Sequence, residues 1–331
     1  MSTTLPWEAA VKLIHSSTHP LIICHISPDG DAIGSLLGLG LGLRSLGKTV
    51  TLACESRPSI KFRFLPGYDT IVNAVNVRLF DLVIGLDSGD LSRLGNIYDA
   101  DKLAGVPLIN VDHHITNLYY GDVNLVDPKR ASAAELVLVL LDHLGISIEQ
   151  DGAGIATCLL TGIATDTVGF RTASVTPQVM GDAMRLMKAG ASLSHVTHHA
   201  FNQRPLADLS LLARGLNRLQ AKKGLAYSEI PLADRRACSH ASNGDAGLVG
   251  MLVRTKEVHI SAVFSERENN RVEISFRADP GYDVAQVALS LGGGGHPAAS
   301  GCTIEGSLEA AKARVLPLLR AALKEQRGNS A

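Results

Sequence analysis

Three strand-like apolar runs and one later apolar segment each stop at an acidic or histidine residue. Leu21-Ile22-Ile23-Cys24 leads into His25-Ile26-Ser27-Pro28-Asp29-Gly30-Asp31, Leu82-Val83-Ile84-Gly85-Leu86 into Asp87, and Leu108-Ile109-Asn110-Val111 into Asp112-His113-His114. The later segment reaches Asp166. In an open α/β sheet the carboxyl ends of the strands form the ligand crevice, so scattered segments deliver these side chains to one place. Residues 21–25, 48–54, 81–87 and 107–112 read as strands, and 32–46, 132–144 and 153–165 as helices. That alternation predicts an α/β fold with a mostly parallel sheet covered on both faces.

At 331 residues, 46% hydrophobic and 19% charged, the chain is expected to make two domains. No apolar stretch reaches the roughly 18 to 20 residues of a membrane helix, and the amino terminus, with Glu8 and Lys12 among short apolar runs, lacks a signal-peptide core. No membrane association and a cytoplasmic setting are the expectations. Cys24, Cys54, Cys158, Cys238 and Cys302 are odd in number and widely spaced, which predicts buried thiols rather than a disulfide framework. A net charge of −1 argues against gripping long nucleic acid by bulk attraction.

Helix 32–46 carries Gly34, Gly38 and Gly42 on one face, predicting close approach to the sheet or to the metal loop. Farther on, Leu206, Leu209, Leu212, Leu216 and Leu219 form one apolar stripe, predicting a connecting helix that starts near Pro205 and ends before Gly224. Strands at 225–231, 258–265 and 271–278, a hairpin turn at Glu266–Asn270, and helices at 283–291 and 307–325 give a smaller α+β domain. The predicted organisation is a first domain over 1–195, a linker helix over 196–222 and a second domain over 223–331. The end around Gly328-Asn329-Ser330 is expected to fray.

Carboxylates with a few imidazoles suit manganese, magnesium or iron better than a thiolate-loving metal, and one shared carboxylate is the usual way to hold two ions roughly 3.5–4 Å apart. Taken singly, Asp29 and Asp31 could be turn residues, and Asp87 and Asp166 helix caps. Their joint placement at predicted element ends, with an Asp-His-His among them, makes coincidence a poor account.

His25-Ile26-Ser27-Pro28-Asp29-Gly30-Asp31-Ala32-Ile33-Gly34-Ser35, the Asp87 strand end, Asp112-His113-His114 and Thr165-Asp166-Thr167-Val168-Gly169-Phe170 resemble, in order, the four motifs of the DHH phosphoesterase superfamily. Gly292-Gly293-Gly294-Gly295-His296-Pro297-Ala298-Ala299-Ser300-Gly301 resembles the glycine-rich signature of the DHH-associated substrate-binding domain, and Ser275-Phe276-Arg277 its serine–arginine strand. The compact length is similar to the NrnA-like oligoribonuclease and 3′-phosphoadenosine-5′-phosphate phosphatase branch.

The resemblance implies one metal held by His25, Asp29 and Asp87 and a second by Asp31, Asp87, His113 and Asp166, with Asp87 as the bridge. It further implies that Asp112 orients an imidazole, that His114 faces the scissile phosphate and stabilises its charge or protonates the leaving oxygen, and that Ser275, Arg277, Gly293, Gly294, Gly295 and His296 hold substrate. The implied cofactor is Mn2+, as two ions, with Mg2+ or another divalent metal as the alternative. The implied substrates are short RNA or DNA oligonucleotides, linear dinucleotides such as pApA, and bisphosphate nucleotides. A homodimer is among the expected assemblies. The alternatives are a RecJ-type single-strand exonuclease, a cyclic-di-AMP phosphodiesterase and a non-enzymatic nucleotide-sensing or RNA-binding module. Val168 stands where many relatives have a second glycine, and Ala278 where relatives often have serine.

Glycines at 292–295 let backbone amides approach a phosphate without Cβ obstruction. By contrast, Gly38-Leu39-Gly40-Leu41-Gly42 lacks a phosphate-loop lysine and sits inside a predicted helix. His195, His198 and His199 fall at helical spacing with no acidic partner nearby in sequence, so a solvated or interdomain helix face is expected. Arg57, Lys61 and Arg63 read as a solvated edge, with the rim of the cleft, attracting anionic substrate, as the alternative.

Overall fold

The computed structural model describes residues 5–76, 80–149, 152–240 and 244–327, and the terminal Gly328-Asn329-Ser330 lies outside them. The chain divides into two compact units, Met1–Gln203 and Arg204–Ala331. No helix among the described residues is long and apolar enough to cross a membrane.

The first unit contains α1 (Trp7–Ser16), β1 (Pro20–Cys24), α2 (Gly30–Ser45), β2 (Thr51–Ala53), β3 (Ile71–Val72), β4 (Leu82–Leu86), β5 (Leu108–Asp112), β6 (Val123–Val126), α3 (Ala133–His143), α4 (Gly154–Asp166), α5 (Pro177–Lys188) and α6 (Leu193–Thr197). Its sheet runs β3-β2-β1-β4-β5-β6 with every pair parallel. The order reverses between β1 and β4, which makes the carboxyl ends of those two strands the switch point where such sheets bind ligands. β1, β4 and β5 are buried at every position, as their continuous apolar runs require. Ile22 and Cys24 face the larger core, while Leu21 and Ile23 face a smaller one with Leu94, Ile97 and Leu103. That second face is closed by a short 3-10 helix over Leu91–Ile97 and its following loop instead of a long α-helix.

The glycine face of α2 does not meet the sheet or the metal loop. It meets other helices: a Cβ on Gly34 would collide with the Cys158 carbonyl, one on Gly38 would lie 2.7 Å from Leu159, and one on Gly42 would strike Leu141. Gly30 lies against Thr165 at the opposite end of that contact, so α2 and α4 run antiparallel. Each interior glycine costs roughly 1 kcal/mol in helix propensity, and the close packing it permits brings Asp31 beside Asp166.

The second unit contains α7 (Leu206–Leu216), β7 (Gln220–Lys222), β8 (Leu225–Ile230), α8 (Leu232–Ala237), α9 (Leu248–Val253), β9 (Ile260–Arg267), β10 (Arg271–Ala278), α10 (Ala285–Ser290), β11 (Gly294–His296), β12 (Ala299–Glu305) and α11 (Leu308–Arg327). Its mixed sheet runs β11-β12-β10-β9-β8-β7, with only β8 and β9 parallel. The helix expected to reach almost to Gly224 ends at Leu216, because Gln220–Lys222 leave it to pair with β8. Of the leucine stripe only Leu212 packs. Leu206, Leu209, Leu216 and Leu219 are exposed, whereas α7 docks through Leu211, Leu212 and Gly215. The packing residue between two stripe positions wins because Gly215 lets α7 settle on Leu248 and accept the Ser228 hydroxyl at 2.6 Å.

One face of this sheet is covered by α10 and α11 over Ile274, Phe276 and Phe264. On the other face, α7 and α9 build an apolar cluster on β8 and β9 that includes no residue of β10, β11 or β12.

Candidate metal centre

His25, Asp87 and Asp112-His113-His114 stand at the carboxyl ends of β1, β4 and β5. His25 Nε2 lies 3.5 Å from Asp87 Oδ2 and 4.0 Å from Asp29 Oδ1. His113 Nε2 lies 3.5 Å from Asp87 Oδ1, 3.5 Å from Asp166 Oδ2 and 3.8 Å from Asp31 Oδ2. The two oxygens of Asp87 thus face two different donor sets. Ligand atoms of His25, Asp29 and Asp87 all lie within 4.8 Å of one another, as do those of Asp31, His113 and Asp166. Asp87 Oδ1 is buried with no hydrogen bond among the described residues, a costly state for a carboxylate oxygen that a cation relieves. Hard oxygen donors with imidazole nitrogen and no thiolate fit a divalent ion of the magnesium or manganese kind.

Local structure aims each group. Asp87 has φ +54, a left-handed conformation that costs a non-glycine residue on the order of 1–3 kcal/mol and turns its side chain off the strand line. It caps no helix; Asp90 caps the 91–97 turn through Ser92 N at 2.7 Å. Asp29 does cap α2, accepting from Asp31 N and Ala32 N at 3.0 and 3.1 Å. Asp31 is 1% exposed and accepts from Ala133 N at 2.6 Å and Ala134 N at 3.0 Å, at the start of α3, and from the Ser35 hydroxyl at 3.2 Å. Asp166 is the last residue of α4. Asp112 is fully buried, accepts from Asn117 Nδ2 at 2.5 Å and meets His114 Nδ1 at 2.6 Å, which leaves His114 Nε2 for a ligand.

Charge crowding follows. Burial, reinforced by Asp87, raises the Asp31 pKa well above the carboxylate range. Burial likewise pushes Asp166 up to about 6. Burial opposes the protonated form of His113, but the close carboxylates of Asp87, Asp31 and Asp166 outweigh it and push the imidazole up to about 10. His25 is raised in the same way, Asp87 outweighing its burial. Burial also works against ionised Asp87, yet His113 and His25 hold it below the usual carboxylate range. The Asp112 contact raises His114. Such a cluster attracts positive charge.

Asn117 and the amides of α3 were not legible as site residues, and neither was Arg93. Its Nη2 lies 3.1 Å from His25 Nδ1, and its carbonyl accepts from Ile26 N at 2.8 Å. His25 Nδ1 sits 2.7 Å from the Ile26 carbonyl and donates to it, so the Arg93 guanidinium, a donor only, makes no hydrogen bond with that nitrogen, and Nε2 keeps its lone pair toward the cluster.

In the second unit, register places Gly294, Gly301 and Ser275 in one row across β11, β12 and β10, and His296, Ala299 and Arg277 in the next. All six point to the face opposite α10 and α11, the face whose apolar α7–α9 cluster includes none of them. Glycine is required at two positions: a Cβ on Gly293 would overlap the Gly301 carbonyl, and Gly295, at φ +136, would drive one into Ser300. Gly294 and Gly295 thus belong to an edge strand. His195, His198 and His199 gather around Phe64, whose ring stacks on His199 at 4.6 Å, and they form no metal-ligand group among the described residues. Arg63 pairs with Asp69 at 3.2 Å, and Lys61 lies 4.7 Å over Phe62.

Over residues 20–163 the chain matches the DHH family, N-terminal domain, and over residues 238–325 the DHHA1 domain. It is 35% identical over 324 residues to the bifunctional oligoribonuclease and PAP phosphatase NrnA of Thermus thermophilus, covering 95% of this chain and 94% of that one. The protein of the same name from Bacillus subtilis is 27% identical, with 85% and 87% covered. Among solved structures, an exopolyphosphatase-related protein from Bacteroides fragilis matches with a TM-score of 0.84 at 25% identity, covering 96% and 95% of the two chains.

Proposed function

The chain belongs to the DHH phosphoesterase superfamily, in its NrnA-like branch, and on that premise we propose that it is a metal-dependent phosphodiesterase of very short oligonucleotides. Linear dinucleotides such as pApA are proposed substrates, with removal of the 3′-phosphate from 3′-phosphoadenosine-5′-phosphate as a second activity of the same site. The observation that carries this reading is Asp87, one buried carboxylate facing a donor set with each oxygen.

His25, Asp29 and Asp87 would hold one ion, and Asp31, Asp87, His113 and Asp166 the other; manganese suits this mixed oxygen and imidazole set. Bound there, a divalent pair supplies Lewis acidity toward phosphoryl oxygens and water that ionises near neutral pH. The chain's own residues do the rest. Asp112, fixed by Asn117, orients His114 and keeps it protonated, so that Nε2 donates a proton to the leaving oxygen. Ser275, Arg277, His296 and the glycine amides bind the phosphate or base of the substrate. A cytoplasmic setting is proposed, supported by five free cysteines, four of them buried.

The test is the metal-stripped protein reconstituted with manganese and assayed against a length ladder of end-labelled oligonucleotides beside pAp and cyclic-di-AMP. Fastest turnover on strands of two to about five residues is expected, because a chain of net charge −1 gains little from further phosphates. Efficiency that rises with length gives the RecJ-type reading, and binding without turnover gives the sensing module.

A further inference from the structure

We propose that the second unit carries a separate nucleotide-binding site, at the sheet edge opposite the glycine-rich strand. A cavity of about 690 Å3 opens there between the β7–β8 hairpin and α11, lined by Lys222, Lys223, Leu225, Tyr227, Arg320, Leu323 and Lys324. This volume is on the small-ligand scale of roughly 300–1,000 Å3. Four of the seven lining residues are cations and none is acidic, in a chain whose formal charge is −1. Among the described residues none of the four makes an ion pair; the nearby Glu229 is taken by Lys312. Four like charges converging on one cavity repel one another unless an anion joins them.

Between the cations the wall is apolar and fixed. Leu225 and Leu323 are 3% and 5% exposed. Tyr227 stands edge-on to Phe264 with centroids 6.3 Å apart, its hydroxyl held by Gln220 at 2.5 Å. The sequence spacing matches this arrangement: Leu225 and Tyr227 alternate on one strand face, and Arg320, Leu323 and Lys324 share one helix face. Cations in the last turn of a helix are ordinary, since they offset the helix dipole, and that accounts for Lys324 at the end of α11. It does not account for Lys222 and Lys223. Lys223 holds φ +50 ahead of Gly224 at φ +84, the first place of a two-residue turn where asparagine or glycine is the usual occupant.

Phosphate recognised by cations with a flat apolar body between them is the chemistry of a nucleotide. The site differs from the Ser275, Arg277 and His296 face. It lies four strand spacings from β11, about 19 Å, and on the opposite side of the sheet, where Leu225 and Tyr227 join the α11 core. A free nucleotide and the end of a short oligonucleotide share this chemistry.

The full chain, stripped of metal in chelator so that no turnover occurs, is photolabelled with 8-azidoadenosine 5′-diphosphate and the labelled peptides are mapped. Labelling within 220–227 and 320–324 is expected. It should fall at least tenfold in Lys222→Glu/Lys324→Glu and in the milder Lys223→Gln/Arg320→Gln, and persist in Lys256→Glu, an exposed cation outside the cavity. Competition by ADP at least tenfold stronger than by pyrophosphate supports the nucleotide; a five-residue RNA that competes better still identifies the strand end as its source, and ADP competing better identifies the free nucleotide. Label confined to other segments, labelling unchanged in both charge variants, or pyrophosphate competing as well as ADP overturns the proposal. Because the measurement needs no catalysis, it stands or falls apart from the hydrolytic reading.

Discussion

Both units are built on six-stranded sheets, yet they offer their chemistry in different places. The parallel sheet of the first unit is buried on both faces, so only the ends of β1, β4 and β5 are open to a ligand, and the acids and histidines gather there. The mixed sheet of the second unit is covered on one face and only partly on the other, so it presents a surface in which Ser275, Arg277 and His296 flank positions reduced to glycine and alanine. An end site concentrates charge at one point; a face site spreads contacts over a plane. On the proposed function the first would make and break bonds, and the second would hold what is to be broken.

The sharpest way to break that division is Asp87→Ala. With both donor sets losing their common carboxylate, kcat in manganese should fall by about a thousandfold or more, while far-UV circular dichroism stays that of the wild type. Activity above about a tenth of wild type would mean that the strand-end site is not a two-ion centre. Arg277→Ala probes the other side of the comparison. Loss of a charged hydrogen bond made equally to substrate and transition state should raise KM by about ten- to a hundredfold, with kcat within about threefold and bound metal unchanged. A variant that instead sheds metal would erase the distinction between the two regions.

The same contrast governs what could be read from the sequence. End residues announce themselves, because a charged group directly after a continuous apolar run is rare, and in the structure the six nominated for metal lie together. What supports them was hidden by chain distance: the α3 amides that meet Asp31 lie 102 and 103 residues away, and the carbonyl that fixes Ile26, next to His25, comes from Arg93 on a different segment. Edge strands Ile71–Val72 and Val123–Val126 are too short to show a period. Leucine spacing at 206–219 found a helix and misplaced its buried side, since a small residue, Gly215, decided the docking. Helix α5 went unread, although Thr176 caps it and Pro177 opens it.

The crowded end site should also make the first unit sensitive to pH when metal is removed. His113 is pushed up to about 10 and Asp166 up to about 6, so in both cases the folded state binds more protons than the unfolded chain. Stability from the raised histidine is complete below about pH 6.5 and is lost as pH rises through 10; that linked to Asp166 is lost as pH rises from about 4 through 6. In chelator, urea unfolding of the first unit should therefore show lower stability at pH 9 than at pH 6, by up to about 3 kcal/mol. Saturating manganese should reverse the sign, because metal binding requires the deprotonated ligands. A metal-free chain equally stable at both values would show that the cluster's charges are balanced without an ion.

The smallest effect concerns the turn that follows Asp166. Val168, Gly169 and Phe170 have φ of +50, +71 and +63, and a β-branched side chain in the left-handed region is strained by roughly 1–2 kcal/mol. Glycine at 168 removes that strain but gives the unfolded chain more freedom, a cost of about 0.5–1 kcal/mol. The net expectation for Val168→Gly is a gain of about 0.5–1 kcal/mol, read as a rise of a few degrees in Tm for a unit of this size. Because the turn only follows the Asp166 carboxylate at the end of α4 and supplies none of the proposed substrate-binding residues, KM for a dinucleotide should not move. A lower Tm would mean that Val168 contributes packing worth more than its strain, and that the departure from glycine at this position is stabilising.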